Sequence, residues 1–420
     1  MVLQISQYYN KIGILHVILV SIILHAFVIS QPPEQVGDES IFLTIFRMLQ
    51  TGVDHTPYQM PGLSFLLFPS VEIFGDYWFS WRATSVFFGI LFLFVLYHTI
   101  KKITTEKNAL FVTVLVSLDI TIFVHSSLFL RDIPVMFFGT FAIYMYFTKK
   151  YYLTALLLGF AALIKESALF FLILIIAYHL IITRPWKNYS VKHTVFFVLI
   201  LSGSFLIPLW IYDMIVNPNV YDERYNYYTT SDHPKLIGRV TNPLEHLKVY
   251  LFGGYLISDT LPIGNNHFLI NTVLPISKSE PNLEIDTESH TQRIYKEMYK
   301  ITKIIKTSWI LSYSNYPIWI ISFWVTVPYM VFNVAKNKHM KQSVYVSFGI
   351  VTMFAPYIFI AIFRPTFAYY FIYTIPFIIL GIVLVLDSIQ YGKIKLIAKS
   401  TLLVFAIILF VISFPLKLLM

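Results

Sequence analysis

The sequence has no cysteine and few charged residues. None of its 420 residues is Cys, and Asp, Glu, Lys and Arg together make up 13% of the chain. The first absence excludes disulfides and thiol chemistry. The second excludes an ordinary soluble protein, because 57% hydrophobic residues and a mean hydropathy of +0.69 leave too little polar surface to face water. A polytopic membrane protein is the class that fits.

The signatures of the common soluble enzymes are also missing. The sequence contains no P-loop, no Gly-x-Gly-x-x-Gly after a strand, no Gly-x-Ser-x-Gly and no His-Glu-x-x-His. Its 12 histidines are scattered and indicate no metal site. The net charge of +9 comes from short basic clusters between apolar runs, a pattern typical of membrane insertion and of contact with membrane lipids. We therefore expect no nucleic-acid partner.

Long apolar runs predict an all-α protein with about eleven transmembrane helices. A full crossing needs about 20 residues, so the fourth and fifth runs are short and one of them is either little tilted or partly re-entrant. The first run has no cleavage pattern after it and is predicted to stay as a signal anchor. The predicted spans are 12–29, 81–100, 109–128, 133–148, 151–164, 167–183, 194–214, 316–335, 343–363, 367–387 and 397–415.

The loops between these spans differ in positive charge. One set carries lysine and arginine clusters, near 101–107, 149–150, 184–192, 336–341 and 393–399, whereas the alternate set carries only Arg131, Lys165 and Arg364. The positive-inside rule places the basic set and the N-terminus in the cytoplasm. The loop 30–80 and the polar segment 215–310 are then predicted to be extracytoplasmic.

The pattern of spans divides the chain into three parts: a transmembrane module over 1–214, an extracytoplasmic insertion over 215–310, and C-terminal transmembrane helices over 311–420. Within the loop 30–80, apolar residues recur at helical spacing near 41–49 and again at 63–68. This pattern predicts two amphipathic helices at the outer membrane surface. Ordinary loop helices packed on the bundle are the alternative.

Two adjacent carboxylates, Asp38 and Glu39, follow the first span and are either catalytic or part of a helix cap or solvated turn. The isolated outer cations lie beside carboxylates at the depth of lipid phosphates, which favours contact with a substrate. Simpler alternatives remain for each of them. Lys165 could pair with Glu166, and Asp132 could pair with Arg131 or cap the next helix.

Several short motifs, taken in order, resemble the GT-C superfamily of membrane glycosyltransferases, in the branch of protein O-mannosyltransferases and lipid A aminoarabinose transferases. The resemblance implies a sugar donor linked to polyprenyl or dolichyl phosphate, an outward-facing active site and inversion at the sugar carbon. The motifs are Gly37-Asp38-Glu39, the 57–63 stretch, Leu130–Pro134, Gly159 with Leu163–Glu166, Pro208-Leu209-Trp210, and Arg364 with Tyr369, Tyr370 and Pro376.

The resemblance also implies roles for single residues. Asp38 matches the general base that takes the acceptor proton, Glu39 orients the acceptor or the loop, and Asp132 positions the sugar or acceptor. A cation would stabilise the charge that grows on the leaving phosphate. The candidates for phosphate binding are Lys165, Arg364, Arg224 and Arg131, and those for other substrate contacts are Tyr58, His55, Glu166, Tyr369 and Tyr370.

The sequence departs from the family pattern in two places. Gln59 and Met60 stand where the interfacial loop usually has a His or Lys before its proline, and the Trp-Trp-Asp motif of oligosaccharyltransferases is absent. We therefore expect transfer of a single sugar, with no required cofactor or divalent metal.

The predicted enzyme is a glycosyltransferase in the plasma membrane of a prokaryote. It would act on a hydroxyl or amine of a lipid, glycan or protein. A transporter or flippase of lipid-linked sugars is the alternative function, and a non-enzymatic assembly subunit is a third. A transporter should show inverted repeats and ionisable groups near the bilayer midplane. The sequence shows no such repeat.

Overall fold

A computed structural model describes residues 13–30, 38–50, 60–183, 191–216, 316–360 and 372–414, and this part of the chain is built from helices without strands. The predicted all-α polytopic fold is confirmed. The predicted insertion over 215–310 lies almost entirely outside the described residues. The helices are α1 (Ile14–Val28), α2 (Asp38–Gln50), α3 (Gly62–Phe74), α4 (Trp78–Lys101), α5 (Glu106–Ser117), α6 (Ile120–Ser127), α7 (Asp132–Phe147), α8 (Tyr151–Ile164), α9 (Ala168–Tyr178, extended by a π-helical turn His179–Thr183), α10 (Val191–Val216), α11 (Tyr316–Ala335), α12 (Met340–Ile360), α13 (Ile375–Asp387) and α14 (Gly392–Ser413).

Most helices lie where the apolar runs predicted them, including the two short helices α2 and α3 of the loop 30–80. Three of the described helices are long and apolar enough to cross a membrane: Trp78–Lys101, Val191–Tyr212 and Gly392–Val411. A fourth results if the bent pair α5–α6 counts as one crossing. The other apolar helices are shorter, so the number of eleven spans stays a prediction.

Large apolar side chains on the outer helices face away from the protein core. Leu19 and Phe27 of α1, Leu199 of α10, and Ile397 and Val411 of α14 are all about half exposed or more. Such a continuous apolar surface is unfavourable in water, whereas the hydrocarbon of a membrane accommodates it. The chain is therefore an integral membrane protein.

The predicted third span, 109–128, is divided. Helices α5 and α6 meet at an angle of 65° across Leu118 and Asp119. The Asp119 carboxylate caps α6, because its Oδ1 accepts hydrogen bonds from the backbone N–H groups of Thr121 (2.9 Å) and Ile122 (3.2 Å). Its Oδ2 accepts a bond from the indole N–H of Trp319 in α11, at 2.7 Å. An N-cap residue inside an apolar run is the physical reason for the break.

Small residues allow close contacts between the central helices. Helix α7 packs between α4 and α8, and Gly139 of α7 lies against the ring of Phe171 in α9. Likewise, Gly381 of α13 lies against Thr326 of α11. A Cβ at either glycine would overlap the neighbouring side chain. The glycines therefore allow these helices to pack closely, as small residues commonly do in membrane proteins.

Helix α2 is attached to the start of α4 by a group of three side chains. Arg47 donates to Asp76 Oδ2 at 2.7 Å, Trp81 donates to Asp76 Oδ1 at 2.7 Å, and the Arg47 guanidinium lies 5.3 Å from the Trp81 ring centre. Partial burial raises the pKa of Asp76, but the hydrogen bonds from Arg47 and Trp81 outweigh it and hold the pKa below its usual range.

Candidate active site

A buried ion pair joins helix α2 to helix α4. Glu39 Oε1 accepts a hydrogen bond from Arg82 Nε at 3.1 Å, and Oε2 accepts one from Nη2 at 2.9 Å, with both side chains fully buried. Glu39 Oε1 also accepts from the backbone N–H of Phe129 at 2.8 Å, and Arg82 donates to the carbonyl of Ile29 at 3.3 Å. This one pair therefore holds together the end of α1, the start of α2, the first turns of α4 and the turn before α7.

Sequence reasoning missed Arg82. Arg82 is a single arginine near the start of an otherwise uncharged run. A charge in such a position normally has a partner, and this could have indicated a buried ion pair. Glu39 was predicted to orient the acceptor or the loop. In the structure the Glu39 carboxylate contacts Arg82 of α4 and the backbone before α7. Its role in catalysis stays a prediction.

A second cluster forms around the Asp132 carboxylate at the first residue of α7. Oδ1 accepts hydrogen bonds from Lys165 Nζ at 2.7 Å and from the Tyr373 hydroxyl at 2.6 Å. The Tyr373 oxygen in turn accepts a bond from Ser167 at 2.9 Å, and His125 Nδ1 lies 3.8 Å from Asp132 Oδ2. Asp132 thus pairs with Lys165, and Lys165 pairs with Asp132 rather than with its sequence neighbour Glu166, which is exposed.

Three members of this cluster were not predicted. Tyr373 follows the Tyr369-Tyr370 motif by three residues and could have been found by extending that motif along the chain. His125 lies in an apolar run seven residues before Asp132, and Ser167 lies two residues after Lys165, but neither has a distinctive sequence signal. Only the packing of α6, α9 and the segment before α13 brings them to the Asp132 carboxylate.

Arg131 lies beside both clusters and is partly exposed. Its guanidinium carbon is 4.7 Å from the ring centre of Phe42, one helical turn after Asp38 in α2. Its Nε is buried and has no hydrogen-bond partner among the described residues. Among the described side chains Glu39 and Arg82 balance each other, as do Asp132 and Lys165, so Arg131 leaves these five with an excess positive charge. A guanidinium with an unpaired N–H donor suits an anionic ligand.

Two of the predicted motifs touch through backbone atoms. A Cβ on Gly62, at the start of α3, would lie 2.7 Å from the carbonyl carbon of Leu163 and 2.8 Å from the amide nitrogen of Ile164. The chain at these two residues leads directly to Lys165. Gly62 therefore lets helix α3 pack against the backbone that positions the Lys165 ammonium.

The structure describes only some of the other predicted residues. Asp38 is the first residue of α2, next to the anchored Glu39, but its side chain lies outside the described part. Within the described ranges, no three His, Asp or Glu side chains group as metal ligands. The predicted residues that lie outside those ranges are His55, Tyr58, Arg224, Arg364, Tyr369 and Tyr370.

Comparison with known proteins gives matches in sequence and in fold. Residues 54–212 match the family model of dolichyl-phosphate-mannose-protein mannosyltransferases. The structure resembles an archaeal oligosaccharyltransferase, AglB from Archaeoglobus fulgidus, solved in complex with an inhibitory peptide and a dolichol-phosphate, with a TM-score of 0.54 and 12% identity. The apo form of the Archaeoglobus fulgidus oligosaccharyltransferase matches with a TM-score of 0.53 and 13% identity. The chain is thus similar to that mannosyltransferase family over residues 54–212 and to these oligosaccharyltransferases in its fold.

The matches cover different parts of this chain and of the related proteins. Each alignment covers 98% of this chain and 56% of the oligosaccharyltransferase, so the chain spans little more than half the length of those proteins. At such low identity the likeness is one of fold. The mannosyltransferase match includes Arg82, Asp132 and Lys165 but neither Asp38 nor Tyr373. No curated protein matches the chain in sequence.

Proposed function

We propose that this protein is an inverting glycosyltransferase of the GT-C superfamily. It moves a single sugar from a polyprenyl- or dolichyl-phosphate carrier to a hydroxyl or amine of a lipid, glycan or protein. The reaction takes place at the extracytoplasmic face of a prokaryotic plasma membrane and needs no added cofactor. The observation that carries the proposal is the arrangement of Arg131 beside two neutralised acid–base pairs, at the end of the bundle where α2, α4 and α7 begin.

The donor phosphate is the ligand that this excess positive charge suits. As the bond between the sugar and the phosphate breaks, negative charge grows on the phosphate, and a fixed guanidinium at that point lowers the barrier. Arg131 has a donor open for this contact. Lys165 is the second candidate, since an ammonium has three N–H donors and can hold Asp132 with one of them. Arg224 and Arg364 complete the predicted phosphate-binding set.

The chemical step follows from the two substrates. The acceptor oxygen or nitrogen attacks the anomeric carbon from the face opposite the phosphate, and its proton passes to the Asp38 carboxylate. The bond from the anomeric carbon to the phosphate oxygen breaks, and its electron pair leaves with the polyprenyl phosphate. The attack from the opposite face inverts the configuration. Proton removal by a placed carboxylate accelerates such steps by roughly 10²–10⁴-fold.

The Asp132 carboxylate serves mainly to position Lys165 in this scheme. Held between the Lys165 ammonium and the Tyr373 hydroxyl, it fixes the cation close to the protein backbone of α7. Glu39 fixes the first turn of α2, in which Asp38 is the first residue. Tyr58, His55, Glu166, Tyr369 and Tyr370 remain the candidates for contacts with the sugar and the acceptor.

A donor-consumption assay tests the proposal. Purified wild-type protein in detergent is incubated with radiolabelled polyprenyl-phosphate mannose, the sugar named by the matching family, and a membrane extract that supplies acceptors. We expect donor loss with release of polyprenyl phosphate, and a loss of at least about 100-fold in rate for Asp38→Asn. Glu72→Gln, an exposed acid on the neighbouring helix α3, is the matched control and should retain the rate.

The same assay separates the rival functions. A transporter or flippase would move the lipid-linked sugar across a vesicle membrane and leave the bond to phosphate intact. An assembly subunit would neither move nor cleave it. Full donor cleavage by Asp38→Asn would remove Asp38 as the base while leaving the transferase assignment in place.

A further inference from the structure

A cavity with polar groups in its lining lies at the end of the bundle opposite the Asp132 cluster. It has a volume of about 540 Å³ and lies between the turn Lys102–Thr105, the last turns of α11, the start of α12 and the end of α13. Helix α13 begins two residues after Tyr373 and ends at Asp387. Its 13 residues span roughly 20 Å, so this cavity is separate from the Asp132 cluster. It opens on the face that carries the basic loops.

The cavity lining offers several hydrogen-bond donors. Asn333 of α11 lines the cavity and is a buried residue, 4% exposed. Lys102 lines the cavity with its side chain also in contact with the Tyr144 ring. His339, Gln342 and Tyr329 add further polar groups. A side-chain amide in a cavity lining can donate hydrogen bonds to a ligand bound there.

The charges around the cavity favour an anion. Asp387 is the carboxylate in the lining, and it is already engaged by Asn108 at 3.1 Å, Lys399 at 3.3 Å and Lys395 at 3.4 Å. Lys102 is thus not needed to neutralise Asp387, and its charge adds to an excess of lysine. Apolar residues, including Met330 and Leu384, line the remaining wall. The volume lies within the range of 300–1,000 Å³ that is usual for small-ligand sites.

We propose that this cavity is a second ligand site that binds a phosphate group. Phosphate presents only acceptor oxygens, and it therefore requires the combination of an ammonium and neutral N–H and O–H donors found here. The phosphate could belong to the headgroup of an anionic lipid, with its chains along the apolar wall, or to a soluble compound. The site is independent of the sugar-transfer reaction.

Paired ligands with and without phosphate test the proposal on the full chain in detergent. The lipid arm compares dioleoyl phosphatidic acid with dioleoylglycerol by native mass spectrometry. The soluble arm compares glycerol 3-phosphate with glycerol by calorimetry. We expect the phosphate form to bind more tightly in at least one arm, and that arm identifies the source. Equal binding of both members in both arms would overturn the proposal.

Two variants locate the binding. Lys102→Gln removes the cation and Asn333→Asp places a like charge in the lining with almost the same shape, and each should weaken phosphate binding about tenfold or more. Lys107→Gln is the matched control, because Lys107 is an exposed lysine in the first turn of α5, close to this turn in sequence but outside the lining. An equal loss in Lys107→Gln would indicate general attraction to a basic surface and would rule out this site. If one of the two lining variants fails to fold, the other still tests whether phosphate binds in this cavity.

Discussion

The Glu39 carboxylate and the Arg82 guanidinium form two hydrogen bonds across 43 residues of sequence, and both side chains are fully buried. Two charges withdrawn from solvent stabilise each other only as a pair, because either one left alone would carry an uncompensated desolvation penalty. Their partners, Phe129 N–H and the Ile29 carbonyl, belong to segments that enclose the candidate site. The pair is therefore a structural centre of that site.

Breaking this pair should destabilise the protein strongly. We expect Arg82→Gln to lower the free energy of unfolding by roughly 3–5 kcal/mol, since it leaves Glu39 charged and buried. Denaturant titration in detergent measures the change. Arg47→Gln breaks an ion pair of the same type, with side chains 42% and 32% exposed, and should change stability by no more than about 1 kcal/mol. Equal effects in the two variants would contradict the buried-pair interpretation.

Arg131 should affect donor binding more than stability. The residue is partly exposed and its Nε has no hydrogen-bond partner among the described residues, so Arg131→Gln should raise the KM for the lipid-phosphate donor about tenfold or more while leaving the melting temperature nearly unchanged. Initial rates at varied donor concentration provide the measurement. Arg47→Gln again serves as the control, with an unchanged KM. A lowered melting temperature with an unchanged KM would assign Arg131 a purely structural role.

Lys165, Asp132 and Tyr373 should behave as one unit. Lys165→Met and Asp132→Asn each break the same ion pair, so the double variant should lose less stability than the sum of the singles, with a coupling of about 0.5–3 kcal/mol. Tyr373→Phe removes one hydrogen bond to Asp132 and should cost about 1 kcal/mol. A double-mutant cycle on unfolding free energies checks both statements. Strict additivity would show that the side chains are not coupled.

A methyl group at Gly62 should disturb the backbone before Lys165. The added Cβ would lie 2.7 Å from the Leu163 carbonyl, so either α3 or the end of α8 must move, at a cost of roughly 1–3 kcal/mol. We expect Gly62→Ala to lower both the melting temperature and the transfer rate. Gly203→Ala in α10 is the control, because its Cβ would meet only Ile207 Cδ1, at an ordinary 3.6 Å. A normal transfer rate in Gly62→Ala would refute the close contact.

The transmembrane architecture could be predicted from the sequence because it depends on local properties. Apolar runs of sufficient length become helices in hydrocarbon, where each backbone group must be satisfied within its own segment. The bounds of α7 and α8 accordingly agree with the predicted 133–148 and 151–164 within about one residue. The break at Asp119 was missed, since hydropathy averages over a cap residue that only local hydrogen bonding reveals.

The sequence alone determined that this is a helical membrane protein with acids and cations at loop positions, because hydropathy and charge act over a few neighbouring residues. The tertiary structure decided which of these residues meet. Glu39 pairs with Arg82, and Asp132 pairs with Lys165 and with Tyr373, the latter 241 residues away. Such pairings depend on how helices from distant parts of the chain pack, and no local pattern in the sequence specifies that packing.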